Sequence, residues 1–266
     1  AWELCGQDVV VPQSDGYYMA EGFGVQVTHH EDSTPTWTAP AFEDLAAVED
    51  LQIPDPRRDG RMPVYLEAIE RLTGRVGGAV AVRATGTGPF SLASHLIGTE
   101  RFITEIAMLA VEPDEEKERL LDRLLQVTAD TLAAFARACL EAGADVVQAG
   151  DSLASLDMIS PEIYRRFVHP AEKRFFAAIR DEAAAAGAVT LLHICGDTTK
   201  ILEEMAETGA DILEIDAKVD LAEARRIVGD RVCLMGNLEP TEVLLRGSTD
   251  LVVEASRAAI EAAGGG

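Results

Sequence analysis

Six short apolar runs, separated by longer amphipathic stretches, recur along the chain, and most of them end on a polar residue. The runs are residues 7–12, Ala79-Val80-Ala81-Val82-Arg83, 145–149, 188–195, 211–215 and 231–235. Short continuous apolar runs bounded by turn residues read as strands covered on both faces. Parallel neighbours need a crossover, which is most often a helix, so strand–helix alternation at this spacing commits the chain to a parallel sheet with right-handed connections. Helices are expected over 62–74, near 98–110, from Pro113 as a first-turn residue to Gly143, from the Ser160-Pro161 cap to Gly187, and over 198–208, 220–228 and 248–263.

The strands end at Thr85-Gly86-Thr87-Gly88-Pro89, at Gly150-Asp151-Ser152, at Cys195, at Asp216 and at Gly236-Asn237. Polar groups gathered at the carboxyl ends of parallel strands are the disposition of a (β/α)₈ TIM barrel. A doubly wound sheet lacks support, because no G-x-G-x-x-G follows the first strand and no P-loop motif is present. A complete barrel needs about eight strands, so the expectation is an α/β barrel truncated at both ends, in keeping with a start at Ala1 and a finish on Gly264-Gly265-Gly266. All 266 residues are expected to form one domain. Residues 22–38 are rich in β-formers and turn residues, and the region near 22–60 is read as a hairpin or lid insertion.

A net charge of −23 repels nucleic acid and anionic membrane surfaces, so neither is expected as a partner. No apolar run is long enough to span a bilayer. Four cysteines, at 5, 139, 195 and 233, are too few and too embedded in apolar segments for a secreted disulfide framework, which points to the reducing cytoplasm.

The stretch richest in chemistry is Leu191-Leu192-His193-Ile194-Cys195-Gly196-Asp197. Side chains alternate along a strand, so His193 and Cys195 share a face at a strand's carboxyl end, with Asp197 as cap of the next helix. An imidazole and a thiol so placed are two ligands of the kind zinc takes.

His193-Ile194-Cys195-Gly196-Asp197-Thr198, followed by Gly209-Ala210-Asp211, Glu214-Ile215-Asp216 and Leu234-Met235-Gly236-Asn237-Leu238-Glu239-Pro240, resembles the uroporphyrinogen decarboxylase superfamily over essentially the whole chain. Within it the pattern is similar to the branch of methylcobamide:thiol (coenzyme M type) methyltransferases. The resemblance implies zinc held by His193 and Cys195, which are also the catalytic pair, and a corrinoid carried on a separate corrinoid-binding protein. A methyl group would move between that corrinoid and a small thiol or methylated substrate. The family's second cysteine ligand falls beyond Gly266, and Cys233, mid-strand, reads as a core residue.

Decarboxylases of the superfamily lack the His-x-Cys pair and use an Asp that matches Asp8, a Tyr at the position of His95, and an arginine-rich segment that would precede Ala1. Decarboxylation is therefore the alternative, with a non-catalytic barrel that binds a corrinoid or ligand as a further one. Asp8, Asp151, Ser152, Asp216 and Asn237 are the candidate substrate-binding residues. Asp151 equally suits a helix cap or turn, and Asn237 a turn. Either Glu214 or Asp216, alternate residues of one strand, is placed to bond the ring of His193 or to form a structural ion pair. His29-His30 with Glu31-Asp32 reads as a solvated hairpin, and Arg165-Arg166 and Arg225-Arg226 as helix-surface pairs.

Overall fold

The computed structural model describes residues 2–12 and 15–264. Eight strands are present among them: β1 (Val9–Val10), β2 (Gln26–Thr28), β3 (Thr36–Ala39), β4 (Ala81–Thr87), β5 (Val146–Gly150), β6 (Val189–Ile194), β7 (Ile212–Ile215) and β8 (Cys233–Met235). Six form one parallel sheet in the order β1-β4-β5-β6-β7-β8, which is their order along the chain. Sequential parallel order with a helix on each return is the local rule of a barrel wall, and the curled six-stranded sheet matches the fold expected. All six expected strands are found at their expected places.

The outer face is the apolar one. Val82, Ala84, Val147, Ala149, Leu192, Ile194, Leu213 and Ile215 are at most 3% exposed and belong to the same core as Phe135, Phe175, Phe176 and Met205 from the surrounding helices. Each Val, Leu, Ile, Phe or Met among them contributes about 1.5–3 kcal/mol on burial. The inner face is polar. Register sets Gly150 beside His193, His193 beside Glu214 and Glu214 beside Met235, so these neighbours lie at one level of the wall.

The helices correct the sequence reading in three places. Residues 85–87 do not form a turn: β4 continues through Thr87, and a helix, Pro89–Ile97, follows at once. The long helix is Glu115–Glu141 and is capped by Asp114, whose carboxylate accepts from the Glu116 and Lys117 amides, so Pro113 stands outside it. The stretch 198–208 is a tight turn, Thr199–Ile201, leading into the short helix Leu202–Ala206. Ser160 caps Pro161 as expected, its hydroxyl accepting from the Ile163 amide.

The hairpin β2–β3 is antiparallel and carries Thr34 and Pro35 in its turn to the wall of a cavity at the carboxyl ends of the strands. Trp37 of β3 anchors it, donating its indole N–H to the His95 carbonyl at 2.9 Å.

Candidate active site at the carboxyl end of the sheet

A cavity of about 780 Å³ opens at the carboxyl ends of β4, β5, β6 and β7, and His193 and Glu214 line it together with Arg83, Gln148, Ser152 and His95. His193 is the penultimate residue of β6, and Cys195 follows it just past the strand. The alternation expected from the sequence brings the two side chains together, with His193 Nε2 2.8 Å from Cys195 Sγ. Ser152, exposed after β5, donates its hydroxyl to the same sulfur at 3.5 Å.

Two features fix the backbone that carries Cys195. Gly196 sits at φ +86°, in the left-handed region, and a Cβ there would lie 3.1 Å from Ser155 Oγ. Its amide donates to Asp216 Oδ2 at 2.9 Å, while Asp216 Oδ1 accepts from the Lys218 amide. Asp216 therefore tethers the loop from the neighbouring strand end. Asp197 bonds the amide and hydroxyl of Thr199, but it stands one residue before Thr198, the N-cap of the turn Thr199–Ile201, which corrects its reading as the helix cap.

Behind His193 stands a charged pair. His193 Nδ1 is buried and lies 3.0 Å from Glu214 Oε2, at ion-pair distance but off the line of a full hydrogen bond. Glu214 is gripped by both terminal nitrogens of Arg83, at 3.0 and 2.5 Å, and Arg83 Nε donates to Gln148 Oε1 at 2.8 Å. Burial alone would raise the Glu214 carboxyl, but His193 and the Arg83 guanidinium outweigh it and hold it at about 2. Burial likewise opposes a charged His193, yet Cys195 and Glu214 raise it to about 9. The ring of His193 in turn lowers the Cys195 thiol against the effect of burial.

The other expected site residues are placed as follows. Asp151 is completely buried and its carboxylate accepts from the Phe90 amide at 3.0 Å and the Ser91 amide at 2.6 Å, so it caps the helix Pro89–Ile97. Burial pushes its carboxyl up to about 6 against those amides. Gly88 makes the approach possible, since a Cβ there would meet Asp151 Cβ at 2.5 Å. Asn237 donates its amide to the carbonyls of Asp216 and Val219, at 3.2 and 2.6 Å, and ties the ends of β7 and β8 together. Asp8 is exposed just before β1, its carbonyl accepting from the Ala81 amide at the amino end of β4, away from the strand ends that hold His193.

Cys233 stands opposite Ile212 on β7, two residues toward the amino end from the Glu214–Met235 level, and is half-buried. Of the four cysteines only Cys139 is buried; Cys5 and Cys195 are exposed, which corrects their reading as embedded in apolar segments. His29 and His30 are exposed and bond Glu21 and Thr36, as expected of a hairpin surface. Arg165, Arg166, Arg225 and Arg226 pair with Glu204, Glu118, Asp230 and Glu223. Sequence reasoning passed over Arg83 and Gln148. A charged residue inside an otherwise apolar strand was the signal for the first.

The donor chemistry of His193 and Cys195, an imidazole nitrogen and a thiol sulfur converging at the cavity, fits two of the positions of a zinc ion. Among the described residues no third His, Cys, Asp or Glu completes a cluster with them.

The whole chain, residues 1–266, matches the uroporphyrinogen decarboxylase (URO-D) family. Methylcobamide:CoM methyltransferase MtaA of Methanosarcina barkeri is 34% identical over 202 residues, 76% of this chain and 55% of that protein, so the chain spans about half the length of this relative. The uroporphyrinogen decarboxylase of Thioalkalivibrio sulfidiphilus is 31% identical over 263 residues, 97% of this chain and 71% of that protein. A solved methyltransferase structure from Methanosarcina mazei superposes with a TM-score of 0.85 at 28% identity, covering 98% of this chain and 73% of that one. The curled parallel sheet, its polar inner face and these matches together place the chain in the uroporphyrinogen decarboxylase family.

Proposed function

We propose that the protein is a zinc-dependent methyltransferase that moves a methyl group between a corrinoid, carried by a separate corrinoid-binding protein, and a small thiol or related methylated substrate. The observation that carries this reading is the His193–Cys195 pair, 2.8 Å apart at the rim of the cavity. Relatives named as methylcobamide:CoM methyltransferases support it. His193 and Cys195 are the residues that would hold the metal. Bound there, zinc supplies a Lewis acid that keeps a substrate sulfur as thiolate near neutral pH.

The chain's own groups do the rest. Ser152 presents a hydroxyl to the sulfur-binding corner, and Asp216 holds the Gly196 amide so that Cys195 keeps its place. Thr85, Thr87 and Tyr17 line the remaining wall and orient the substrate. Asp151 and Asn237 serve the site from behind, by fixing the backbone of the strand ends rather than by touching substrate. Asp8 has no evident part in methyl transfer. The sparse cysteines support a cytoplasmic setting for the reaction, and no described helix is long and apolar enough to cross a membrane.

A decarboxylase reading has the Thioalkalivibrio relative in its favour. Two assays separate them. Incubation of the zinc-loaded protein with methylcobalamin and a panel of small thiols, followed optically, is expected to show demethylation that falls at least a hundredfold in His193→Ala and Cys195→Ala. Metal-independent loss of carbon dioxide from a tetrapyrrole carboxylate, with no methyl transfer, would establish the alternative.

A further inference from the structure

The inner face of the wall carries a chain of contacts that runs from Gln148 through Arg83 and Glu214 to His193 and Cys195. We infer that Arg83 is a positioning residue: by clamping Glu214 with both terminal nitrogens it fixes the carboxylate against His193 Nδ1 and thereby aims Nε2 at the metal-binding corner. The inference rests on the zinc-site reading above and adds a residue that no ligand pattern contains.

Three observations support it. First, Arg83 lies 131 residues from Glu214 in sequence and three strands from it in the sheet, yet both N–H···O contacts are made, at 3.0 and 2.5 Å. A planar guanidinium fork holds a carboxylate in one plane, which a lysine cannot do. Second, the fork itself is oriented. Its Nε is committed to Gln148 Oε1 at 2.8 Å, and one terminal nitrogen lies 3.9 Å from Met235 Sδ, so the side chain is fixed at its flanks as well as at its end. Third, His193 Nδ1 is buried, and Glu214 Oε2 lies 3.0 Å from it, at ion-pair distance. If Glu214 turned away, the buried ring nitrogen would lose this carboxylate, and the ring would be freer to rotate away from Cys195. An outer carboxylate that fixes the ring of a ligating histidine is worth about ten- to a hundredfold in metal affinity.

The pair is not simply a fold-stabilising salt bridge. It lies on the polar face toward the cavity, outside the apolar layer that joins sheet to helices, and Arg83 and Glu214 both line the cavity. Its loss is therefore expected to alter the site more than the fold.

The test uses Arg83→Met and Arg83→Lys in the intact chain. The exchange rate of the His193 Nδ1 proton is read by NMR on histidine-labelled, zinc-free protein, and zinc affinity is read by competition with a chelator. Arg83→Met is expected to speed exchange of that proton at least tenfold and to weaken zinc at least tenfold, while the backbone amide spectrum stays that of the folded protein. Arg83→Lys should recover part of both. Unchanged exchange of that proton in folded Arg83→Met would overturn the inference. If the wild-type protein binds no zinc, the zinc-site reading fails, but the proton-exchange arm still decides the role of Arg83.

Discussion

The Asp151 carboxylate reaches the amide of Ser91 at 2.6 Å, across 60 residues of sequence, and closes the first turn of the helix Pro89–Ile97. This joins the end of β5 to the element after β4, with Asp151's own amide donating to the His193 carbonyl at 2.8 Å. One buried residue thus links three adjacent strand ends of the site, two through its side chain and the third through its backbone amide. Removing it in Asp151→Ala leaves two helix-end amides without their acceptor, and a loss of about 2–4 kcal/mol is expected. Chemical denaturation of the variant measures it, and Asp151→Asn, which keeps one acceptor, should lose less.

Two desolvated groups, His95 and Asp151, act on stability in opposite directions as pH falls. Burial lowers His95 to about 4, so the folded protein resists protonation there that the unfolded chain accepts below about pH 6.5. Stability from this group is present above pH 6.5 and is lost as pH falls toward 4. Asp151 is raised to about 6, so the folded state holds its proton where the unfolded chain releases it, and stability from this group declines as pH rises from about 4 to 6. Replacing His95 by Gln removes the first effect alone. The variant should therefore gain on wild type as pH falls from 6.5 to 4, by at most ~3 kcal/mol, read from melting curves at a series of pH values.

Cys195 is exposed and its thiol is lowered by the ring of His193, whereas Cys139 is buried and raised by desolvation. In metal-free protein, iodoacetamide is expected to modify Cys195 faster than the exposed Cys5 and to leave Cys139 untouched. In His193→Ala the rate at Cys195 should drop at least tenfold. Peptide mass spectrometry over a time course distinguishes the four sites.

Gly196 is the residue on which the position of Cys195 turns. At φ +86° an alanine costs roughly 1–2 kcal/mol. The same change drives a Cβ into the Asp157 carboxylate and against Ser155, and disturbs the amide that Asp216 holds. Gly196→Ala is expected to fold with a lowered melting temperature and to bind zinc more weakly than wild type, measured on the same sample by calorimetry.

The positions of all six parallel strands were legible because each is a short apolar run bounded by turn residues. The meeting of His193 and Cys195 was legible because strand alternation is local. What the sequence hid was non-local or non-periodic. The helix Pro89–Ile97 leaves only His95 partly exposed, with Phe90, Ser91, Leu92, Ala93, Ser94, Leu96 and Ile97 all buried, so it shows no polar face from which to read a helical period. Gly86 made β4 look finished when the strand runs on past it. Arg83 could be seen as a charge within an apolar run, but its partner Glu214 lies three strands later in the chain. The split of roles between the two acidic candidates behind His193, Glu214 at its ring and Asp216 at the Gly196 amide, depends on where the strands end.

The central claim, that His193 and Cys195 hold zinc, is tested most directly by metal content and zinc-edge X-ray absorption on the intact protein beside His193→Ala and Cys195→Ala. The account predicts one zinc per chain with nitrogen and sulfur in its ligand sphere, lost from both variants. A wild-type protein without zinc, or zinc retained unchanged in either variant, would contradict it.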